Sequence, residues 1–323
     1  MVQDKRVEAL LHIRKLRGGS QPILARADDG YFYVLKFLDN PQGANLLYNE
    51  ALGSEIYRSV GLPTPAWRPV YVSEKFLDQN PACWMETETG FHKPKAGWAF
   101  GSRFVSLRNS SLFEIIPAQS FSRIRNRRDF WTSWVLDVFC GHADNRQVLF
   151  LERESKWLDA YFIDHGHLFG GAHGTGLPSF IASRYLDPRI YPATSAQDVE
   201  KIVQAIQKLD LAAISHVAKC LPDEWITERA LWNFAQFKRR ISDAVLLQSV
   251  VHFVLGMVEE TWGSDGRRPV RSTTGYNSTD LPSQIYPSGV DDRDISRRGD
   301  LTGDPGRRWL EALRPSYLQA EGS

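Results

Sequence analysis

The sequence predicts an α+β protein in two parts: an N-terminal antiparallel sheet with one helix, then a mainly helical C-terminal region. Three observations carry this. Apolar and polar residues alternate in segments between Val7 and Leu38, the strand period. From Ala44 to Val60 the period becomes helical, and nearly everything from Ser195 to Trp262 keeps it. Between these stretches two short apolar runs, Val148–Glu152 and Leu158–Ile163, flank a charged turn and read as a hairpin.

Each element follows from local chemistry. The first alternating segment, Val7 to Arg17, ends at Gly18-Gly19-Ser20-Gln21, a hairpin signal. A second strand, Pro22 to Ala27, runs into the turn Asp28-Asp29-Gly30, and a third, Tyr31 to Leu38, carries Lys36 and stops at Asn40-Pro41-Gln42-Gly43. In the helix that follows, Leu46, Leu47, Ala51, Ile56 and Val60 share one broad face, and Gly61-Leu62-Pro63-Thr64-Pro65 ends it. Two or three more strands are expected between Ala66 and Leu107, interrupted by a polar loop at Glu86–Lys95. A Trp- and Phe-rich helix from Arg127 to Cys140 leads straight into Gly141-His142-Ala143-Asp144. Four helices follow, Asp198–Leu209, Leu211–Cys220, Thr227–Arg240 and Ser242–Trp262. The expected division is a lobe over 1–107, a helical lobe over 108–262 and a tail over 263–323, rich in Gly, Ser, Asp, Pro and Arg, with a short docking helix around Trp309–Leu313.

Bulk properties narrow the function classes. The 323 residues balance 39 Lys and Arg against 38 Asp and Glu, a net charge of +1. That gives no general electrostatic drive toward nucleic acid or an anionic membrane. Cys83, Cys140 and Cys220 are far apart, so neither a disulfide framework nor a CxxC zinc site is supported. There is no secretory leader pattern and no apolar stretch of membrane-spanning length, and the chain is expected to be cytoplasmic.

The chemistry concentrates in a few residues. Lys36 lies within an alternating apolar strand, so its ammonium must reach water or an anion. Glu50 on the next helix is the first choice to orient it toward phosphates, with Glu55 in reserve. Gly18, Gly19 and Ser20 form a turn whose backbone could approach phosphate oxygens closely. No GxxxxGK[ST] pattern occurs, which disfavours a P-loop. Asp144 follows a helix in the loop GHADNRQ, and Asp164 leaves an apolar strand in FIDHG. Two aspartates in this order, downstream of a strand Lys and a helix Glu, are how kinase-type phosphotransferases assemble a base and a metal ligand. Asp144 would orient the acceptor hydroxyl, and Asp164 would hold Mg²⁺ on the phosphates of ATP.

The segments GGSQP, YVLKFLDNPQG, NEALGSEIYRSVGLPTP, GHADNRQ and IDHGHLFGG, spread over roughly residues 5–262, resemble the HipA-like kinase family of the protein-kinase-like superfamily. The resemblance implies a two-lobed kinase fold that uses ATP and Mg²⁺. Lys36 would contact the α- and β-phosphates, Glu50 would brace it, Asp144 would be the catalytic aspartate and Asp164 the metal-binding one. It also implies phosphorylation of serine or threonine in a protein, although related folds act on small molecules. Two departures stand out. Leu149 occupies the position five beyond Asp144 where a second metal ligand, Asn, is usual, and Gln147 is the expected substitute; His165 stands where Phe is usual.

Two rival readings follow from the same residues. Lacking a metal ligand, the fold could be a pseudokinase that binds nucleotide or a partner only. Alternatively His142, His165, His167, His173 and the more distant His92 could join Asp144 and Asp164 in a metal-dependent phosphohydrolase.

Overall fold

The computed structural model describes residues 6–105, 110–153, 156–173 and 183–262. The tail from 263, its expected docking helix and the expected boundary at 107/108 lie outside the described residues.

Strands β1 (Ala9–Lys15), β2 (Ile23–Ala27) and β3 (Phe32–Lys36) form the expected antiparallel meander. The turn between β2 and β3 is closed by Asp29, whose Oδ1 accepts the N–H of Tyr31 at 3.1 Å and whose Oδ2 accepts the Tyr33 hydroxyl at 2.7 Å. Helix α1 (Leu46–Ser59) follows, then β4 (Trp67–Val72), helix α2 (Glu74–Gln79), the hairpin β5 (Met85–Thr87) and β6 (Gly90–His92), and β7 (Gly97–Arg103). The five-stranded sheet has the order β1-β2-β3-β7-β4, which puts the strand carrying Lys36 at its centre. Across that pairing Lys36 faces Phe100 of β7.

The expected polar loop at 86–95 contains the β5–β6 hairpin. Short α2, capped by Ser73 Oγ on the N–H of Phe76, escaped the sequence pattern because six residues are less than two turns of period.

The second region begins with β8 (Ser111–Phe113), also unforeseen, and continues with helix α3 (Asp129–Cys140), β9 (Gln147–Glu152) and β10 (Leu158–Ile163). The last two pair as the expected hairpin, in register from Gln147↔Ile163 to Glu152↔Leu158, and β8 adds to the β9 edge. Helices α4 (Ala196–Gln207), α5 (Leu211–Lys219), α6 (Glu228–Ser242) and α7 (Ala244–Trp262) complete it, each within a few residues of expectation. Among the described residues no single helix is long and apolar enough to cross a membrane.

Both helix ends that matter to the site close in the same way. At α1, the N–H of Gly61 (φ +80°) bonds to the carbonyl of Arg58 and that of Leu62 to Tyr57, at 3.0 Å each. At α3, Gly141 (φ 60°, ψ 50°) bonds to Val138 and His142 to Asp137 at 3.3 and 2.9 Å. These are Schellman pairs, in which a left-handed glycine lets the last carbonyls be satisfied as the chain turns away.

Two apolar cores form. One lies under the sheet, around Ile23, Leu35, Val70, Leu77 and Ala99. The other runs through the helical region, around Trp134, Phe150, Phe162, Phe169, Trp225 and Phe237, and takes in Leu47, Ala51, Leu52 and Ile56 of α1. Helix α1 was expected to bury one face, yet Asn49, Glu50 and Ser54 are buried too. The segment after β10 packs against this helix, and Asn49 and Glu50 find their hydrogen-bond partners there.

Candidate active site

The central arrangement is an ammonium held between two carboxylates. Lys36 Nζ donates to Glu50 Oε1 in a short hydrogen bond and to Asp164 Oδ1 at 2.6 Å. All three groups are largely out of water. Burial favours the neutral amine of Lys36, but the two carboxylates outweigh it and raise its pKa above the ordinary lysine range. Burial likewise opposes the charged form of Asp164, but Lys36 overcomes it and holds this carboxyl well below its ordinary value. Glu50 goes the other way, with burial raising its pKa more than Lys36 lowers it. Asp164 is therefore the firmly ionised member.

Local backbone places these groups. Asp164 leaves β10 in the left-handed region, φ 62°, which turns the chain sharply after Ile163. The N–H of His165 donates to Glu50 Oε2 at 3.1 Å, and Asn49 Nδ2 donates to the carbonyls of Gly166 and Leu168 at 2.9 Å each. This turn lies so close to α1 that glycine is required on both sides. A Cβ on Gly53 would run into His165 and Leu168, and one on Gly166 would run into Leu46.

The loop carrying Asp144 is aligned with the Asp164 loop by backbone pairing: Ala143 N–H to His167 O at 2.9 Å, Phe169 to Cys140 at 2.8 Å and Gly170 to Gly141 at 2.9 Å. His142 lies between the two aspartates. Its Nδ1 is 2.6 Å from the carbonyl of Asp144 and 2.8 Å from Ser183 Oγ, and its Nε2 is 3.3 Å from the carbonyl of Asp164. Burial, aided by the charge of Arg146, lowers its pKa to about 4, so the ring is neutral at pH 7. The Asp144 carboxylate itself is exposed and accepts the N–H of Asn145 at 2.7 Å.

Gln147, at the first position of β9, donates from Nε2 to Asp164 Oδ2 at 2.6 Å. Leu149 is two residues further along the strand, opposite Tyr161. Lys36, Glu50, Asp164 and Gln147 thus form one connected cluster, with Asp144 joined to it through His142. Gly18, Gly19 and Ser20 lie in the β1–β2 turn, where Gly18 has φ +128° and Ser20 O accepts from Asn40 Nδ2 at 2.6 Å; among the described residues no hydrogen bond joins that turn to the cluster. Glu55, the reserve partner for Lys36, binds Arg58 at 2.5 Å and the indole of Trp67 at 2.7 Å instead.

The most deeply buried part of the site was not read from the sequence. Arg146 and Asp137, with side chains 1% and 0% exposed, make a two-pronged ion pair of 2.5 and 2.9 Å. The Tyr57 hydroxyl donates to the same Asp137 at 2.6 Å, and Arg146 Nη1 donates to the carbonyl of Ile163 at 2.8 Å and lies 3.3 Å from His165 Nδ1. The network therefore ties α1, α3 and the end of β10 together beneath the two aspartates. Its one signal in the sequence is a lone Asp inside the apolar run SWVLDVFC.

Two of the histidines, His165 and His92, have other partners. His165 is buried, and burial together with Arg146 holds its pKa well below the ordinary value; its Nε2 is 3.4 Å from Thr64 Oγ1. His92 contacts Asp39 at 2.5 Å. Among the described residues no group of three or more His, Cys, Asp and Glu could hold a metal ion. The donors present, the Asp164 carboxylate and the Gln147 amide oxygen, are hard oxygens. They suit a hard divalent cation such as Mg²⁺ or Mn²⁺ better than a metal that prefers nitrogen or sulfur ligands.

A HipA-like kinase family model matches residues 11–247. The chain belongs to the HipA-like kinase family. Among solved structures, the Helicobacter pylori proinflammatory kinase CtkA is similar at 12% identity, over 78% of this chain and 96% of that one, with a TM-score of 0.50. The Golgi casein kinase with Mn/ADP bound is similar at 11% identity, over 82% of this chain and 76% of that one, with a TM-score of 0.46. No curated protein sequence matches the chain. This HipA-like kinase thus has the protein-kinase-like fold expected from its sequence, with the N-terminal antiparallel sheet and helical C-terminal region in that order.

Proposed function

We infer that this HipA-like kinase transfers the γ-phosphoryl group of ATP, in a Mg²⁺-dependent reaction, to an alcohol oxygen, with a serine or threonine hydroxyl of a protein as the acceptor. The observation that carries it is the buried Lys36 ammonium between Glu50 and Asp164. Two carboxylates and one ammonium leave a net negative charge that suits a divalent cation, and an anionic phosphate chain then suits the released ammonium.

Lys36 would turn from Asp164 toward the α- and β-phosphates while Glu50 keeps it oriented. Asp164 through its carboxylate and Gln147 through its amide oxygen would hold Mg²⁺, which would neutralise charge on the phosphate oxygens. Asp144, exposed at its loop and steadied through its carbonyl by His142, would accept the hydrogen bond of the incoming hydroxyl and take its proton as the new O–P bond forms. ADP carries away the electron pair of the broken bond.

Leu149 at the usual second-ligand position is what favours the pseudokinase reading, since one carboxylate and one amide make a sparse metal shell. Nucleotide binding with and without Mg²⁺ separates the possibilities when combined with Lys36→Met and His142→Gln. A kinase binds MgATP and loses transfer in Lys36→Met. A His-ligated hydrolase keeps its activity in Lys36→Met and loses it in His142→Gln. A pseudokinase binds nucleotide and transfers to no acceptor.

A further inference from the structure

Lys36 and Glu50 sit on different elements, so their meeting depends on how β3 and α1 are held together. One short segment of the helical region touches both sides. Between α5 and α6 the chain makes a single tight turn, Asp223–Trp225. The N–H of Trp98 on β7 donates to Glu224 Oε1 at 3.1 Å, and the indole N–H of Trp225 donates back to the Trp98 carbonyl at 2.9 Å. The Trp225 ring is 0% exposed and lies 6.5 Å, centroid to centroid, from Phe100, the β7 residue opposite Lys36.

The same segment reaches the helix that carries Glu50. Thr227 Oγ1 donates to Asn45 Oδ1 at 2.6 Å while accepting the N–H of Ala230 at 2.9 Å as the cap of α6. Asn45 immediately precedes α1, is 3% exposed, and makes no side-chain cap to its own helix. Asparagine at that position ordinarily caps its own helix, so here the side chain is committed to Thr227 instead. The Asn45 N–H donates to the Ala172 carbonyl at 3.1 Å, in the segment that follows Asp164. The start of α1 is thereby fixed both to the metal-side loop and to α6.

We propose that residues 224–227 are a positioning clamp that holds β7 and the start of α1 at one rigid point, so that Lys36 and Glu50 are paired before nucleotide arrives. Neither a modification nor a partner is needed to bring the helix in. Thr227, Asn45 and Trp225 are positioning residues and touch no reacting atom. The clamp rests on the reading of Lys36 and Glu50 as the nucleotide-binding pair.

Asn45→Ala removes the acceptor and leaves Thr227 able to cap α6. On the full chain, hydrogen exchange of the first-turn amides of α1 is expected to speed up about 3- to 10-fold, the equilibrium worth of one hydrogen bond. KM for MgATP rises by 1/f, where f is the fraction of molecules with the helix in place, at most by that same factor, while kcat at saturation is unchanged. Trp225→Phe, which keeps an aromatic ring but removes the indole N–H and part of the buried bulk, shifts KM in the same direction. Asn45→Ala and Thr227→Val together speed α1 exchange no more than Thr227→Val alone, since both break the Thr227–Asn45 contact and Thr227→Val also removes the α6 cap. The proposal is overturned if Asn45→Ala leaves α1 exchange at the wild-type rate, or if it lowers Tm and kcat with KM unmoved. Should the wild-type chain bind no MgATP, the kinase reading fails on its own, and exchange in α1 still decides the clamp.

Discussion

Replacing Arg146 by Met tests whether the network beneath the aspartates is a structural keystone. The substitution preserves length and apolar bulk but leaves the Asp137 carboxylate, 0% exposed, with the Tyr57 hydroxyl at 2.6 Å in place of three donors. It also removes the donor to the Ile163 carbonyl at 2.8 Å, which fixes the end of β10 just before Asp164. Breaking a buried ion pair from one side costs about 3–5 kcal/mol, because the remaining charge stays buried without its partner. At about 2–4 °C per kcal/mol for a chain of this class, Tm falls by about 6–20 °C. Guanidinium titration followed by tryptophan fluorescence at pH 7 measures the loss. Adding Asp137→Leu removes the orphaned charge, so the double variant regains most of the stability. A loss below about 1 kcal/mol in Arg146→Met, or no recovery in the double variant, refutes the role given to this pair.

Three further outcomes follow from the geometry. His142 titrates at about 4 in the folded chain against an ordinary imidazole value of 6.5, so between those values the unfolded chain binds a proton that the folded chain refuses. Stability therefore falls as pH drops from 6.5 toward 4, by up to about 1.4 kcal/mol per unit for this group. Glu50, whose pKa is raised, acts in the opposite sense, and a flatter profile in His142→Gln at pH 7, 6 and 5 isolates the imidazole. Gly53→Ala forces a methyl into His165 and Leu168, costing about 1–3 kcal/mol in a denaturant titration. Glu50→Gln weakens MgATP binding in calorimetry, whereas Glu55→Gln leaves it unchanged because Glu55 serves Trp67 and Arg58.

Much of the fold is legible in the sequence because it is local. The alternation that marks β1 to β3, the glycines after α1 and α3, and the β9–β10 hairpin all depend on neighbours within a few residues. What escapes is set by distant contacts. Nothing near Glu50 or Glu55 says which one faces Lys36; burial against the turn after β10 decides it. The same turn buries polar positions of α1, so Asn49 and Glu50 look like surface until the loop they satisfy is known. In sequence, Asp137 and Arg146 look like one buried-helix oddity and one loop cation, and Tyr57 joins them from a helix 80 residues away. Strand β8 is only three residues long and exists through its pairing with β9.

Phosphoryl transfer is most directly tested by following the γ-phosphoryl group itself. Wild-type chain and Asp144→Ala are given γ-labelled MgATP with a panel of protein acceptors, and both label transfer and nucleotide affinity are measured. Transfer by the wild type to a serine or threonine, and its loss in Asp144→Ala with MgATP affinity retained, is the result expected. Undiminished transfer in Asp144→Ala, or a wild type that binds MgATP and phosphorylates nothing, would contradict it.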